Sequence, residues 1–166
     1  MLPRMSLEDG PTLIAFDGSA AARHAVEVAG KLLRPRKTLL ITVWEAALAN
    51  AAAASAPNAT GLPMFDPSAG MQIGDELRRH AESVANEGAE LAKSLGLDAE
   101  PFAAVGVRSV ADTIVEFAQS HDVATIVVGS RGLSGLRARF EGSTSRDVVK
   151  NASSPVLVVH DAADGD

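Results

Sequence analysis

Apolar positions along the chain follow two alternating patterns: short, nearly continuous runs, and longer stretches in which they recur every three or four residues. The first run, Thr12 to Phe16, ends at Asp17, Gly18 and Ser19, which predicts a buried strand, a tight turn and a helix start. From Ala20 to Leu33, the residues Ala22, Ala25, Val26, Ala29, Leu32 and Leu33 keep the period of a helix buried along one face, with Ser19 as N-cap. Pro35, between Arg34 and Arg36, stops it, because proline has no N–H to continue the ladder. Thr38 to Trp44 is β-branched and apolar on both faces, as expected of a strand covered on both sides of a parallel sheet.

The pattern lapses over residues 46–72, where an alanine-rich stretch leads into a segment with three prolines, two glycines and no basic residue. Such a length without periodicity predicts a long insert, either a lid or a disordered loop. Periodicity returns with Leu77, Ala81, Val84, Gly88, Leu91, Ala92 and Leu95, a helix ended by Gly96. Ala99 to Val105 supplies a third strand, and Val110, Ile114, Phe117 and Ala118 mark a further helix. Ala124 to Val128 gives a fourth strand that runs into Gly129. A glycine-rich loop to Gly142 precedes a helix from about Ser143, with Val148 and Val149 expected inward. Pro155 to His160 is the last strand, and the tail 161–166 is expected to fray. Strands alternating with helices at this spacing predict repeated βαβ units, hence an α/β, doubly wound, parallel five-stranded sheet.

At 166 residues the chain is the size of one domain, taken as 1–166 with its core over 11–160. The absence of cysteine excludes disulfides, thiolate metal sites and a Cys nucleophile. A net charge of −6 weighs against general nucleic-acid binding, which needs a basic surface. No apolar run approaches the length of a membrane span and the first residues carry no apolar leader, so a cytoplasmic location and no membrane association are expected. His24, His80, His121 and His160 fall in no HxH, HExxH or triad arrangement; they read as structural or solvated, and no metal ligand is assigned. Trp44, the single tryptophan, is expected to pack in the core or against the insert, with a place near a ligand as the alternative.

Candidate chemistry gathers at the carboxyl ends of the first and fourth strands. The loop after the fourth has glycines that admit close backbone approach, hydroxyls at Ser143, Thr144 and Ser145, and a helix N-terminus beyond, a combination suited to phosphate. Arg131, Arg137 and Arg139 add a local basic excess to an acidic chain; the alternative is solvated surface charge. The loop is neither G-x-x-x-x-G-K-[ST] nor G-x-G-x-x-G. Its spacing is Gly-x2-Gly-x9-Gly-Ser, carried by Gly129, Gly132, Gly142 and Ser143.

This spacing, with the strand ending in Asp17, Gly18 and Ser19 and the closing run from Ser153 to Val159, resembles the ATP-binding branch of the universal stress protein family over roughly residues 11–160. The resemblance implies an adenine nucleotide alpha-hydrolase-like sheet of order 3-2-1-4-5. It places Asp17 at the ribose, the backbone of Val43 at the adenine edge, and Ala15 and Val128 along the pocket. Gly129 and Gly132 would approach ribose and phosphate, and Gly142, Ser143, Thr144 and Ser145 would hold the phosphates; Arg131, from the local basic excess, is counted with the nucleotide-binding residues. It further implies ATP as ligand, with Mg2+ or Mn2+ carried by the nucleotide if present, and a homodimer through Val156 to Val159. Asp17 by itself reads as a turn or capping residue, and its place at a strand end beside the glycine loop is what points to the ribose. Ser143 lies in no nucleophile elbow, so no catalytic residue is assigned and any ATPase activity is expected to be slow. The function expected is regulatory ATP binding in stress response. The alternatives are a cyclic AMP-binding protein, a slow nucleotide hydrolase and a nucleotide-free dimeric scaffold.

Overall fold

A computed structural model describes residues 10–33, 37–55, 57, 60–62, 64–130 and 143–160. The elements, in chain order, are β1 (Thr12–Ala15), α1 (Ala20–Leu32), β2 (Lys37–Glu45), α2 (Ala46–Ser55), α3 (Pro67–Ser94), β3 (Asp98–Gly106), α4 (Val110–Ser120), β4 (Thr125–Gly129), α5 (Ser143–Asn151) and β5 (Val156–Val159). The five strands form one parallel sheet of order β3-β2-β1-β4-β5. Thr12 pairs with Thr38 on one side and Thr125 on the other, so β1 is the central strand and the order of connection reverses between β1 and β4.

Side chains of a strand alternate between sheet faces, and here both faces are buried. Leu13, Leu39, Ile41, Ile126 and Val128 pack against α4 and α5, where they meet Ile114 and Val148. Ile14, Phe16, Leu40 and Val127 pack against α1 and α3, where they meet Val26, Ala29 and Ala89. Gly88 of α3 makes room for the Phe16 ring, since a Cβ there would lie 2.7 Å from it. On α5, Val148 is buried as expected but Val149 is exposed: one apolar stripe of a nine-residue helix faces the sheet, and the next residue turns away from it.

Caps set the helix starts. Ser19 Oγ accepts from the Ala22 N–H at 3.1 Å and Ser109 Oγ from that of Asp112 at 3.0 Å. Gly96 takes a left-handed φ of +84° just beyond α3, the conformation that ends a helix most readily with glycine.

The stretch 46–72 differs from the expectation of a long loop. It carries α2 and the opening of α3, which starts at Pro67 with Asp66 as N-cap. The two helices meet through small residues: Gly70 and Gly74 of α3 face Ala53 and Ala49 of α2.

Candidate functional site

The carboxyl end of β1 turns sharply into α1. Gly18 has a φ of +78°, and the Asp17 carboxylate accepts the Ser19 N–H at 3.0 Å, so one aspartate both shapes the turn and stands at the strand end. The neighbouring strand is stitched to it: Thr42 Oγ1 donates to the Phe16 carbonyl at 2.7 Å and the Phe16 N–H donates to the Ile41 carbonyl at 2.9 Å. On the other side of β1, Gly129 closes β4 against the first turn of α1. A Cβ at Gly129 would lie 2.9 Å from the Ala21 carbonyl oxygen. The Ser130 N–H donates to the Val159 carbonyl at 2.8 Å and ties the end of β4 to β5.

These ends surround a cavity of about 600 Å³ at the point where strand order reverses, where open α/β sheets place their ligands. Ala15, Asp17, Val43, Val128, Gly129, Ser143, Thr144 and Ser145 all line it, so eight of the residues singled out from the sequence converge on one space. Arg131, Gly132 and Gly142, the others, lie outside the described residues.

The cavity has walls that strand-end reasoning missed. One face of α3 presents Leu77, His80, Ala81 and Val84, the i, i+3, i+4, i+7 set of a single helical stripe. Val110 and Ile114 of α4 form the facing wall. Trp44 and Glu45 end β2 at the rim, and Leu48 of α2 continues it. The stripe on α3 was legible as a helix face; nothing in its spacing says that the N-terminal part of that face extends past the sheet to line a ligand space. Trp44 lines the cavity beside Leu48 of the 46–72 stretch.

The lining is largely apolar, with polar groups at its ends. Ser143 is exposed, Thr144 half-buried and Ser145 buried, and all three belong to the first turn of α5, where N–H groups and the helix dipole favour anions. Asp17, Glu45 and His80 are the ionisable groups of the described lining, so His80 is its one side chain able to carry positive charge. Displaced titrations occur elsewhere. At the amino end of β2, a hydrogen bond to Glu100 at 2.8 Å and that group's negative charge hold Lys37 above its ordinary value. At the start of α3, hydrogen bonds from Ser68 hold Asp66 below its own. Among the described residues, no group of three or more His, Asp or Glu side chains could hold a metal ion, and no helix is long and apolar enough to cross a membrane. Chemically, the cavity offers apolar walls for a flat ring, a carboxylate for hydroxyls and backbone and hydroxyl donors for an anion.

An α/β protein with a cavity at the switch point of a 3-2-1-4-5 sheet is the class defined by this fold and geometry. Residues 11–160 match the universal stress protein family, and the chain belongs to it. Universal stress protein YxiE of Bacillus subtilis is 29% identical over 147 residues, covering 89% of this chain and 96% of that protein. Among solved structures, hypothetical protein MJ0577 superposes with a TM-score of 0.74 at 20% identity, over 93% of this chain and 97% of that one. A universal stress protein from Archaeoglobus fulgidus in complex with dAMP gives 0.61 at 22%, over 90% and 96%. A universal stress protein in complex with cAMP gives 0.61 at 24%, over 92% and 98%.

Proposed function

We propose that the protein binds an adenine nucleotide, ATP, in the cavity at the carboxyl ends of β1, β2 and β4, and that occupancy rather than turnover is its signal in stress response. The observation that carries this reading is the convergence of Asp17, Val43, Gly129 and the α5 residues Ser143 to Ser145 on one cavity of about 600 Å³, within the size range of small-molecule sites. Two solved relatives of the fold hold dAMP and cyclic AMP, which supports the adenine nucleotide class.

In this arrangement the Val43 backbone meets the adenine edge between the apolar side chains of Val128, Val110 and Ile114. The Asp17 carboxylate accepts from ribose hydroxyls. The first turn of α5 receives the phosphates on backbone N–H groups and on the hydroxyls of Ser143, Thr144 and Ser145, where the helix dipole adds to their attraction. By the family motif, Gly132 and Gly142 belong to the same phosphate end, and Arg131, between Gly129 and Gly132 in sequence, adds its charge to it. The residues bind and orient the nucleotide, and any hydrolysis is slow. Cyclic AMP is the second reading, favoured by the complex of that ligand with a related fold; it uses the same adenine and ribose contacts with fewer phosphate contacts. Two copies pair through β5, the outer strand beside β4.

The test is to denature freshly purified protein, identify any released nucleotide by mass spectrometry, and titrate the stripped protein with ATP and cyclic AMP. Released ATP or micromolar ATP binding supports the reading. Preferential cyclic AMP binding moves the protein to second-messenger sensing, and no binding of either leaves a scaffold. Asp17→Ala weakens ATP binding by about tenfold with the fold intact, the size expected of one charge-assisted hydrogen bond; unchanged affinity removes Asp17 from the site.

A further inference from the structure

Helix α2 is built differently from the other helices around the cavity. Seven of its ten residues are alanine, and it buries only Ala49 and Ala53, both against α3. The glycines opposite them, Gly70 and Gly74, bring the methyl groups of Ala53 and Ala49 close to the α3 backbone. One backbone hydrogen bond, from the Asp66 N–H to the Ala53 carbonyl at 2.8 Å, closes the far end of the hairpin. A ten-residue helix is marginal by itself in water, so α2 exists as a helix only while it lies on α3.

This helix, which buries only two small side chains, is joined directly to the cavity. β2 ends at Glu45 and α2 begins at Ala46 with no loop between them. Trp44 and Glu45 line the cavity on one side of that junction and Leu48 lines it on the other, while Leu48 remains 54% exposed at the rim.

We propose that α2 is the gate of the nucleotide cavity: it leaves α3 to pass the ligand and is held down by a bound adenine nucleotide through Leu48 and the end of β2. The proposal rests on the nucleotide reading above. Contacts of Ala49 and Ala53 with Gly74 and Gly70 act as the latch, and none of these four residues lines the cavity. Gate position therefore sets the rate of nucleotide exchange.

The chain has no cysteine, so the latch can be locked without interference. A Cβ at position 74 lies 3.6 Å from that of Ala49, within the 3.5–4.5 Å that a disulfide spans. The experiment measures release of ATP by stopped-flow chase, using Trp44 fluorescence or a fluorescent ATP analogue, in the Ala49→Cys, Gly74→Cys double variant, oxidised and then reduced. The oxidised form is expected to release ATP about tenfold more slowly or worse, and reduction restores the wild-type rate. Gly70→Ala acts in the opposite sense, because its methyl would lie 2.7 Å from the Ala53 Cβ and 3.2 Å from the Ala49 carbonyl oxygen. It lifts the helix and speeds release several-fold. Equal rates in the oxidised and reduced forms, with ATP still bound, overturn the gate and leave the nucleotide reading standing. Failure of the wild-type chain to bind ATP overturns both.

Discussion

Glycine at position 129 serves the packing of the sheet before it serves any ligand. A methyl group there would press on the Ala21 backbone, 2.9 Å from its carbonyl oxygen and 3.0 Å from its carbonyl carbon, and neither atom can turn aside as a flexible side chain could. Gly129→Ala is therefore expected to lower stability by about 1–3 kcal/mol, the ordinary cost of overpacking. Urea unfolding of the nucleotide-free protein reads it, and a loss seen only with nucleotide present would place the role in ligand contact instead. His80 makes the complementary case. The sequence assigned it no task because its neighbours form no ligand or triad pattern, yet α3 sets it on the wall of a cavity that also carries two carboxylates, Asp17 and Glu45. As the one described lining group able to become a cation, it is the side chain from which a preference for ligands that carry phosphate is expected. His80→Ala is expected to weaken ATP binding several-fold and leave adenosine binding unchanged, with His80→Arg restoring the preference. Equal effects on ATP and adenosine, read by calorimetric titration, would assign His80 to the wall alone.

At the scale of elements, the strands and most helices were legible because each is a local pattern with local ends. The apolar runs predicted at 12–16, 38–44, 99–105, 124–128 and 155–160 differ from the observed strands by one residue at one end for β1 and by one residue at each end for the other four. Pro101 sits within β3 without breaking it because that strand is at the sheet edge. The stretch 46–72 failed for a physical reason. Alanine on every side of α2 leaves no apolar and polar contrast for a period to show in, so propensity was its only signal. Asp66, Pro67 and Ser68 did announce a helix start, an N-cap followed by proline at the first position, but stood among prolines and glycines that read as loop. The cap carries a pH dependence. Hydrogen bonds from the Ser68 hydroxyl and N–H hold the Asp66 carboxyl below its ordinary value of 3.8, so its folded pKa lies under its unfolded one. The stabilisation is fully present above the unfolded value and is lost as pH falls through the folded one. Asp66→Ala should accordingly lower the urea midpoint at pH 7, and the gap between variant and wild type should close on acidification below about pH 4. A gap that persists at pH 2.5 would mean that the aspartate contributes by packing and not by its charge.

The whole molecule carries a net charge of −6, so two copies meet most easily through a surface with little charge of its own. Residues 151–159, which include β5, contain no charged side chain. The strand's hydrogen bonds show which of its groups are available. Ile126 donates to the Pro155 carbonyl and Ser130 to the Val159 carbonyl, each at 2.8–2.9 Å, so the odd-numbered residues of this parallel strand face β4. In a parallel ladder the N–H and C=O of one residue point the same way, which turns those of Val156 and Val158 outward along the sheet edge. An edge of this kind is a template for a second chain, and pairing across it would extend the sheet through both copies. Val158→Pro deletes one outward N–H while sparing every bond to β4. Light scattering is expected to give a dimer for the wild-type chain and a monomer for the variant, with far-UV circular dichroism unchanged between them. A variant that remains dimeric would move the interface off β5. A wild-type chain that is monomeric at working concentration would leave the edge open and remove dimerisation from the ways in which nucleotide occupancy at the other end of the strands could be read.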